Sequence, residues 1–164
     1  MEEMKIFIIN LDNPELDTAS AWVSLPCATD TIKEKIGLPE NSEHYLISDF
    51  VLPFEITQEA DLEAINDVCE SIINSEIPFD DIREIQKKWF KSLYELEFGL
   101  YDITRYEGCS TMEEVATFLI NECGELGEVS TRLYPFIDYQ GYANVLEELG
   151  SFLNIHNRIY EHHE

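Results

Sequence analysis

The chain has 164 residues, with 34 Asp or Glu against 10 Lys or Arg and a formal net charge of −24. Such a balance excludes nucleic acid as a direct partner, because phosphates would be repelled instead of exchanging counterions for protein cations. It also opposes compaction through self-repulsion, yet a 45% hydrophobic and 12% aromatic composition can still bury the core of one ordinary domain or two to three very small ones.

The opening MEEMKIFIIN carries acids where a secretory signal would carry Lys or Arg, and no apolar run is long enough for a membrane span. A soluble, cytoplasmic protein with no membrane partner is therefore expected. Lys5–Leu11 (KIFIINL) and Ala21–Leu25 (AWVSL) read as strands, being β-branched or aromatic and bounded by Asp, Asn and Pro. Thr31 and Glu34 have the spacing of a capping box for a short helix, closed by Gly37 and Pro39. His44–Val51 reads as a third strand, and beyond Pro53 the composition becomes helical.

From Asp61 to Asn74, Leu62, Ile65, Val68, Cys69, Ile72 and Ile73 recur at helical spacing. Glu63, Asp67 and Glu70 take the opposite face, with no cation four residues further on. Like charges so placed cost about 0.2–0.5 kcal/mol per pair. That face is either solvated for solubility or kept negative for a partner. Pro78 introduces a second helix with the stripe Ile82, Ile85, Trp89, Leu93 and Leu96. Its Arg83, Lys87, Lys88 and Lys91 are four of the ten bases, and pair either with the neighbouring helix or with a partner.

Tyr101–Glu107 reads as a strand. Ser110 with Glu113, and Thr111 with Glu114, each offer a capping box to a helix running to about Cys123 and ended by Gly124. GELGEVSTRLYPFIDYQGY follows, from Gly124 to Tyr142, with short helices expected near Thr131–Phe136 and Asp138–Glu148. SFLNI and RIYEH flank His156-Asn157 and read as a hairpin whose turn holds Asn in the left-handed conformation. The fold class is α+β: three small modules near 1–57, 58–99 and 100–164, the first a sheet with a helix, the second helical, the third α+β. Modules of this size have small cores, so stability must come from packing between them or from dimerisation, which points to an elongated body.

Catalytic signatures are absent. No nucleophile elbow, phosphate-binding loop, dinucleotide fingerprint, zincin helix or EF-hand loop occurs. With 34 acids, carboxylate pairs arise at any spacing by chance and carry no information. Cys27, Cys69, Cys109 and Cys123 are far apart, with neither Cys-x-x-Cys nor paired His, so reduced thiols are expected and a zinc site is not. His162-His163 beside Glu161 and Glu164 reads as a tail. Neither an enzyme nor a cofactor or metal is expected. The excess charge is spread evenly, at −9, −7 and −8 over residues 1–60, 61–103 and 104–164, and is not a disordered acidic tail.

KIFIINLDN, AWVSLP, IKEKIGL, YLISDFVLPFEI and above all GELGEVSTRLYPFIDYQGY occur in an order that resembles the ArdA family of antirestriction proteins. The resemblance covers nearly the whole chain and is weakest between Ser71 and Tyr101. Gly124–Tyr139 corresponds to the family's antirestriction motif. Departures fall at Phe50-Val51, where a Tyr-Glu pair is expected, and at Leu16–Ser20, where a glycine is expected.

The resemblance implies a DNA mimic from a conjugative plasmid or transposon, acting in the cytoplasm of a bacterial host. It implies a curved homodimer of three-domain subunits that occupies the DNA-binding groove of a type I restriction–modification enzyme, at its methyltransferase core. The carboxylates expected on that surface are Asp12, Glu15, Asp17, Glu63, Asp67, Glu70, Asp80, Asp81, Glu113, Glu114, Glu125, Glu128, Asp138, Glu147 and Glu148. The implied dimer contact comprises Leu126, Val129, Leu133, Tyr134, Phe136 and Tyr139, an intramolecular core being the alternative. In charge, 24 anions match about 40 Å of duplex, or about 12 base pairs. Two rival readings are an acidic inhibitor or scaffold for another basic DNA-binding protein, and an enzyme whose carboxylates assemble in space, with raised pKa values in one cleft.

Overall fold

The computed structural model describes residues 3–164, and its contacts divide the chain into two compact units, Met1–Tyr101 and Asp102–Glu164. The class is mixed α+β, with one three-stranded antiparallel sheet in each unit.

In the first unit, β1 (Met4–Asn10) lies between β2 (Ser20–Leu25) and β3 (Tyr45–Val51). The β1 sequence alternates as a half-buried strand should: Met4, Ile6, Ile8 and Asn10 are buried, and Lys5, Phe7 and Ile9 are half-buried. Asn10 ends the strand with its side chain. Its Oδ1 accepts from Asp12 N (2.9 Å) and Asn13 N (3.0 Å), and its Nδ2 donates to Ile36 O (3.0 Å), so the buried amide is satisfied.

Helix α1 (Thr29–Lys35) begins two residues before the expected capping box. Thr31 already lies within its first turn, and Ala28 precedes the helix without a side-chain cap. The stop is as expected. Gly37 at φ 70° lets its N–H reach Glu34 O (3.1 Å) while Leu38 N reaches Lys33 O (2.8 Å), which is the Schellman closure.

Helices α2 (Leu62–Ser75), α3 (Phe79–Trp89) and α4 (Leu93–Gly99) complete the unit. The single helix expected after Pro78 is thus two. The chain breaks at Phe90, and Ser92 caps the new helix by accepting from Glu95 N (3.1 Å), while the Glu95 carboxylate accepts from Lys91 N (2.7 Å). The sheet segment and the helices are tied by side chains that satisfy backbone groups. Asn66 of α2 accepts from Cys27 N (2.9 Å) and donates to Cys27 O (2.6 Å). The Tyr45 hydroxyl donates to Ala60 O (2.8 Å) and accepts from Leu62 N (3.2 Å).

A 3-10 turn (Leu100–Asp102) crosses the division after Tyr101 and leads into β4 (Ile103–Arg105) of the second unit, shorter than the expected strand. Helix α5 (Met112–Asn121) uses the Thr111 box. Thr111 Oγ1 accepts from Glu114 N (3.2 Å), and the Glu114 carboxylate accepts from Ser110 N (2.8 Å). A 3-10 helix (Thr131–Phe136) and α6 (Tyr139–Glu148) follow, then β5 (Phe152–Ile155) and β6 (Arg158–His162). The sheet order is β4-β6-β5, and the β5–β6 turn holds both His156 (φ 49°) and Asn157 (φ 66°) in the left-handed region. Met112, Val115, Ala116 and Leu119 of α5 meet Ala143 and Leu146 of α6, Phe152 and Ile159 in one core.

Candidate functional site

Two surface features define the candidate site: carboxylates in both units, and an exposed apolar loop within the second. Thirteen of the fifteen expected surface acids are exposed: Asp12, Glu15, Asp17, Glu63, Glu70, Asp80, Glu113, Glu114, Glu125, Glu128, Asp138, Glu147 and Glu148. Asp67 is half-buried. Asp81 is a correction: it is fully buried, four residues before Ile85 on the inward stripe of α3, and has no surface to offer a partner.

Several exposed acids are held in place by hydrogen-bond donors that fix the carboxylate's position. Asp12 accepts from Ser42 Oγ (2.5 Å) and lies 2.9 Å from His44 Nδ1. The Ser42 hydroxyl, then His44, hold its carboxyl below the usual range. Asp138 caps α6 through Gly141 N (2.9 Å), Glu114 takes the Ser110 N–H, and Glu125 takes the Tyr142 hydroxyl.

On α2, Glu63, Asp67 and Glu70 share the face opposite Leu62, Ile65, Val68, Cys69 and Ile72. Glu97 of α4, which no sequence pattern singled out, adds to this field. Burial and the neighbouring Asp67 raise its carboxyl above the ordinary value. Of the four clustered cations, Arg83 pairs not with a neighbouring helix but with the loop after β3, at Glu55 Oε1 (2.9 Å) and Leu52 O (2.9 Å). Lys87, Lys88 and Lys91 are exposed.

The segment from Gly124 to Tyr139 leaves α5 through Glu125 N, which donates to Leu119 O (3.1 Å). Gly124 (φ 68°) and Gly127 (φ 73°) then bracket a turn closed by Gly127 N to Gly124 O (2.9 Å). Tyr139 holds the return by donating to Asn121 Oδ1 (3.0 Å). This scaffold pushes side chains outward: Phe136 is 81% exposed, Leu133 53%, Leu126 52% and Tyr134 48%, while Val129 and Tyr139 are half-buried. The first four are therefore no part of the unit's own core. Leu126 stands between two hollows of about 440 and 390 Å³, the second bringing Glu125 and Asp138 together with Ile137 and Tyr142. An apolar patch rimmed by carboxylates has the composition of a protein-contact surface.

No helix among the described residues is long and apolar enough to cross a membrane. A search of curated proteins finds no matching sequence. The model of a family described as antirestriction protein (ArdA) matches residues 17–160, which include both the α2 face and the exposed loop. The chain belongs to the ArdA family of antirestriction proteins, and an inhibitory, antirestriction function follows from that membership.

Proposed function

We propose that the protein inhibits type I restriction–modification enzymes as a DNA mimic, its carboxylates taking the place of phosphates in the enzyme's basic DNA-binding groove. The observation that carries this reading is the exposure of the acids. Against ten Lys and Arg there are 34 carboxylates, and Asp81 is the one buried acid among the described residues. A basic groove gains much of its affinity by neutralising backbone charge, and carboxylates fixed on a folded surface satisfy the same cations. The modules at 1–57, 58–99 and 100–164 and the cytoplasmic, mobile-element setting belong to this proposal.

The exposed loop serves self-association in the same reading. Leu126, Val129, Leu133, Tyr134, Phe136 and Tyr139 bury against a second copy, with Glu125, Glu128 and Asp138 left at the rim. Phe136→Asp then yields a monomer by sedimentation, its far-ultraviolet circular dichroism unchanged. A dimer that survives the change removes the loop from the contact.

The deciding experiment is displacement of duplex DNA from a type I methyltransferase core by this protein, at two salt concentrations. Displacement is expected at both, with the inhibitor's own affinity for the enzyme falling as salt rises. No displacement, or an inhibitor affinity flat in salt, overturns the proposal. Capture of a nucleoid protein or nuclease in place of the methyltransferase would favour the broader class of acidic inhibitors.

A further inference from the structure

The first unit carries an apolar groove of about 520 Å³ between the Met4–Leu25 end of the β1–β2 pair and the corner joining α2 to α3. Leu25, Ile72, Ile73, Ile77 and Phe79 line it, with Glu3 and Glu76 at its rim. We infer that this groove docks a basic segment of the partner, one that inserts an apolar side chain between Ile73 and Phe79 and sets a Lys or Arg against Glu76. The inference deepens the proposed function, and rests on its premise that the target is a basic protein.

Ile73 is 51% exposed, an isoleucine spent on the rim of a helix whose core face is already filled. Glu76 is placed against its own local stability in two ways. It closes α2 at φ 60°, a conformation that favours Gly. It also puts a negative charge at a helix C-terminus, where the dipole favours a cation and α2 has no basic residue in its last turn. Glu3 is already shared with Lys5 Nζ (3.3 Å) and Ser24 Oγ (3.3 Å). Glu76 is therefore the rim charge left for an incoming cation. Charge complementarity selects the occupant. A basic segment gains from this rim, and the proposed contact with a second copy lies elsewhere, on the Gly124–Tyr139 loop of the second unit.

The test uses two capped tetrapeptides, Arg-Leu-Phe-Lys and Arg-Gly-Gly-Lys, titrated into the full-length protein and followed by amide NMR shifts. The first is expected to shift Ile72, Ile73 and Ile77 saturably, and the second not. Ile73→Ser and Glu76→Gly each weaken the first peptide at least fivefold. Glu76→Gly also raises the melting temperature by about 2–4 °C. Glu59→Gln, which removes one exposed charge from the same unit outside the groove, changes binding less than twofold.

Equal binding of both peptides, or an equal loss from Glu59→Gln, overturns the groove as a site. So do concentration-dependent shifts of these amides in the protein alone, which assign the groove to a second copy. The methyltransferase separates the two levels of argument. If wild type and Ile73→Ser displace DNA equally well, the groove is overturned and DNA mimicry stands. If wild type displaces no DNA yet binds the apolar peptide here, mimicry of DNA fails and the groove remains a site for a different basic protein.

Discussion

Tyr142 of α6 donates its hydroxyl to the Glu125 carboxylate, seventeen residues back in the chain, and so pins the Gly124–Gly127 turn. That hydrogen bond, then burial and the charges of Glu125 and Glu161, push the Tyr142 phenol up to about 12. Because the folded pKa is raised, the stabilisation is complete below the ordinary value of 10.0 and is lost as pH climbs from there through about 12. A carbon-13 titration should place the Tyr142 midpoint near the upper value and return it towards 10.0 in Glu125→Gln. A wild-type midpoint at the ordinary value would sink the contact. Both residues were visible in the sequence as an acid and an aromatic, but their pairing was not, since seventeen residues match no helix or strand period. Asp81 teaches the opposite lesson. The surface implied by the family resemblance includes it, whereas helical spacing sets it with Ile82 and Ile85, and both of those are buried with it.

At the scale of elements, strands and helices were legible wherever side-chain period and caps agreed, as in β1, α2 and the β5–β6 hairpin. The α3–α4 break was not, because Ile82, Ile85, Trp89, Leu93 and Leu96 keep helical spacing straight across it. The overlooked signal was Ser92 with Glu95, a capping box inside the stripe. Closing this corner turns the Phe90 ring onto Gly99, where an added Cβ would lie 2.1 Å from Phe90 Cε1. Gly99→Ala should therefore destabilise the protein by about 1–3 kcal/mol through overpacking, despite alanine's better helix propensity. A denaturant midpoint unchanged or raised would show that the ring moves away freely. Asn66 holds a second joint of the unit, giving both Cys27 backbone groups their partners. Asn66→Ala strands a donor and an acceptor and should cost about 1–3 kcal/mol. Hydrogen exchange would show the loss first at the Cys27 amide, and unaltered protection there would mean that water replaces the side chain without cost.

At the scale of the whole molecule, charge density decides how the protein competes with DNA. The chain exposes 10054 Å² for 24 net charges, or one per about 420 Å². A duplex concentrates one charge per about 1.7 Å of axis, condenses counterions, and gains affinity by releasing them. A folded acidic surface of this density holds its counterions loosely and has fewer to release. Its binding should weaken with salt, but less steeply than DNA binding to the same enzyme. Between 50 and 200 mM salt, a DNA complex with six to ten phosphate contacts loses roughly 10³–10⁵ in affinity. The inhibitor should lose at least about tenfold less, so the ratio of inhibitor to DNA needed for half-displacement falls as salt rises. Distribution has a mutational counterpart on α2. Glu63→Gln, Asp67→Asn or Glu70→Gln alone removes one exposed or half-buried charge, worth about 0.2–1 kcal/mol each. The triple change should lower affinity roughly tenfold and flatten the salt dependence. If Glu63→Gln alone produces that loss, or if inhibitor and DNA show equal salt slopes, the carboxylates act as a concentrated site and not as a diffuse field.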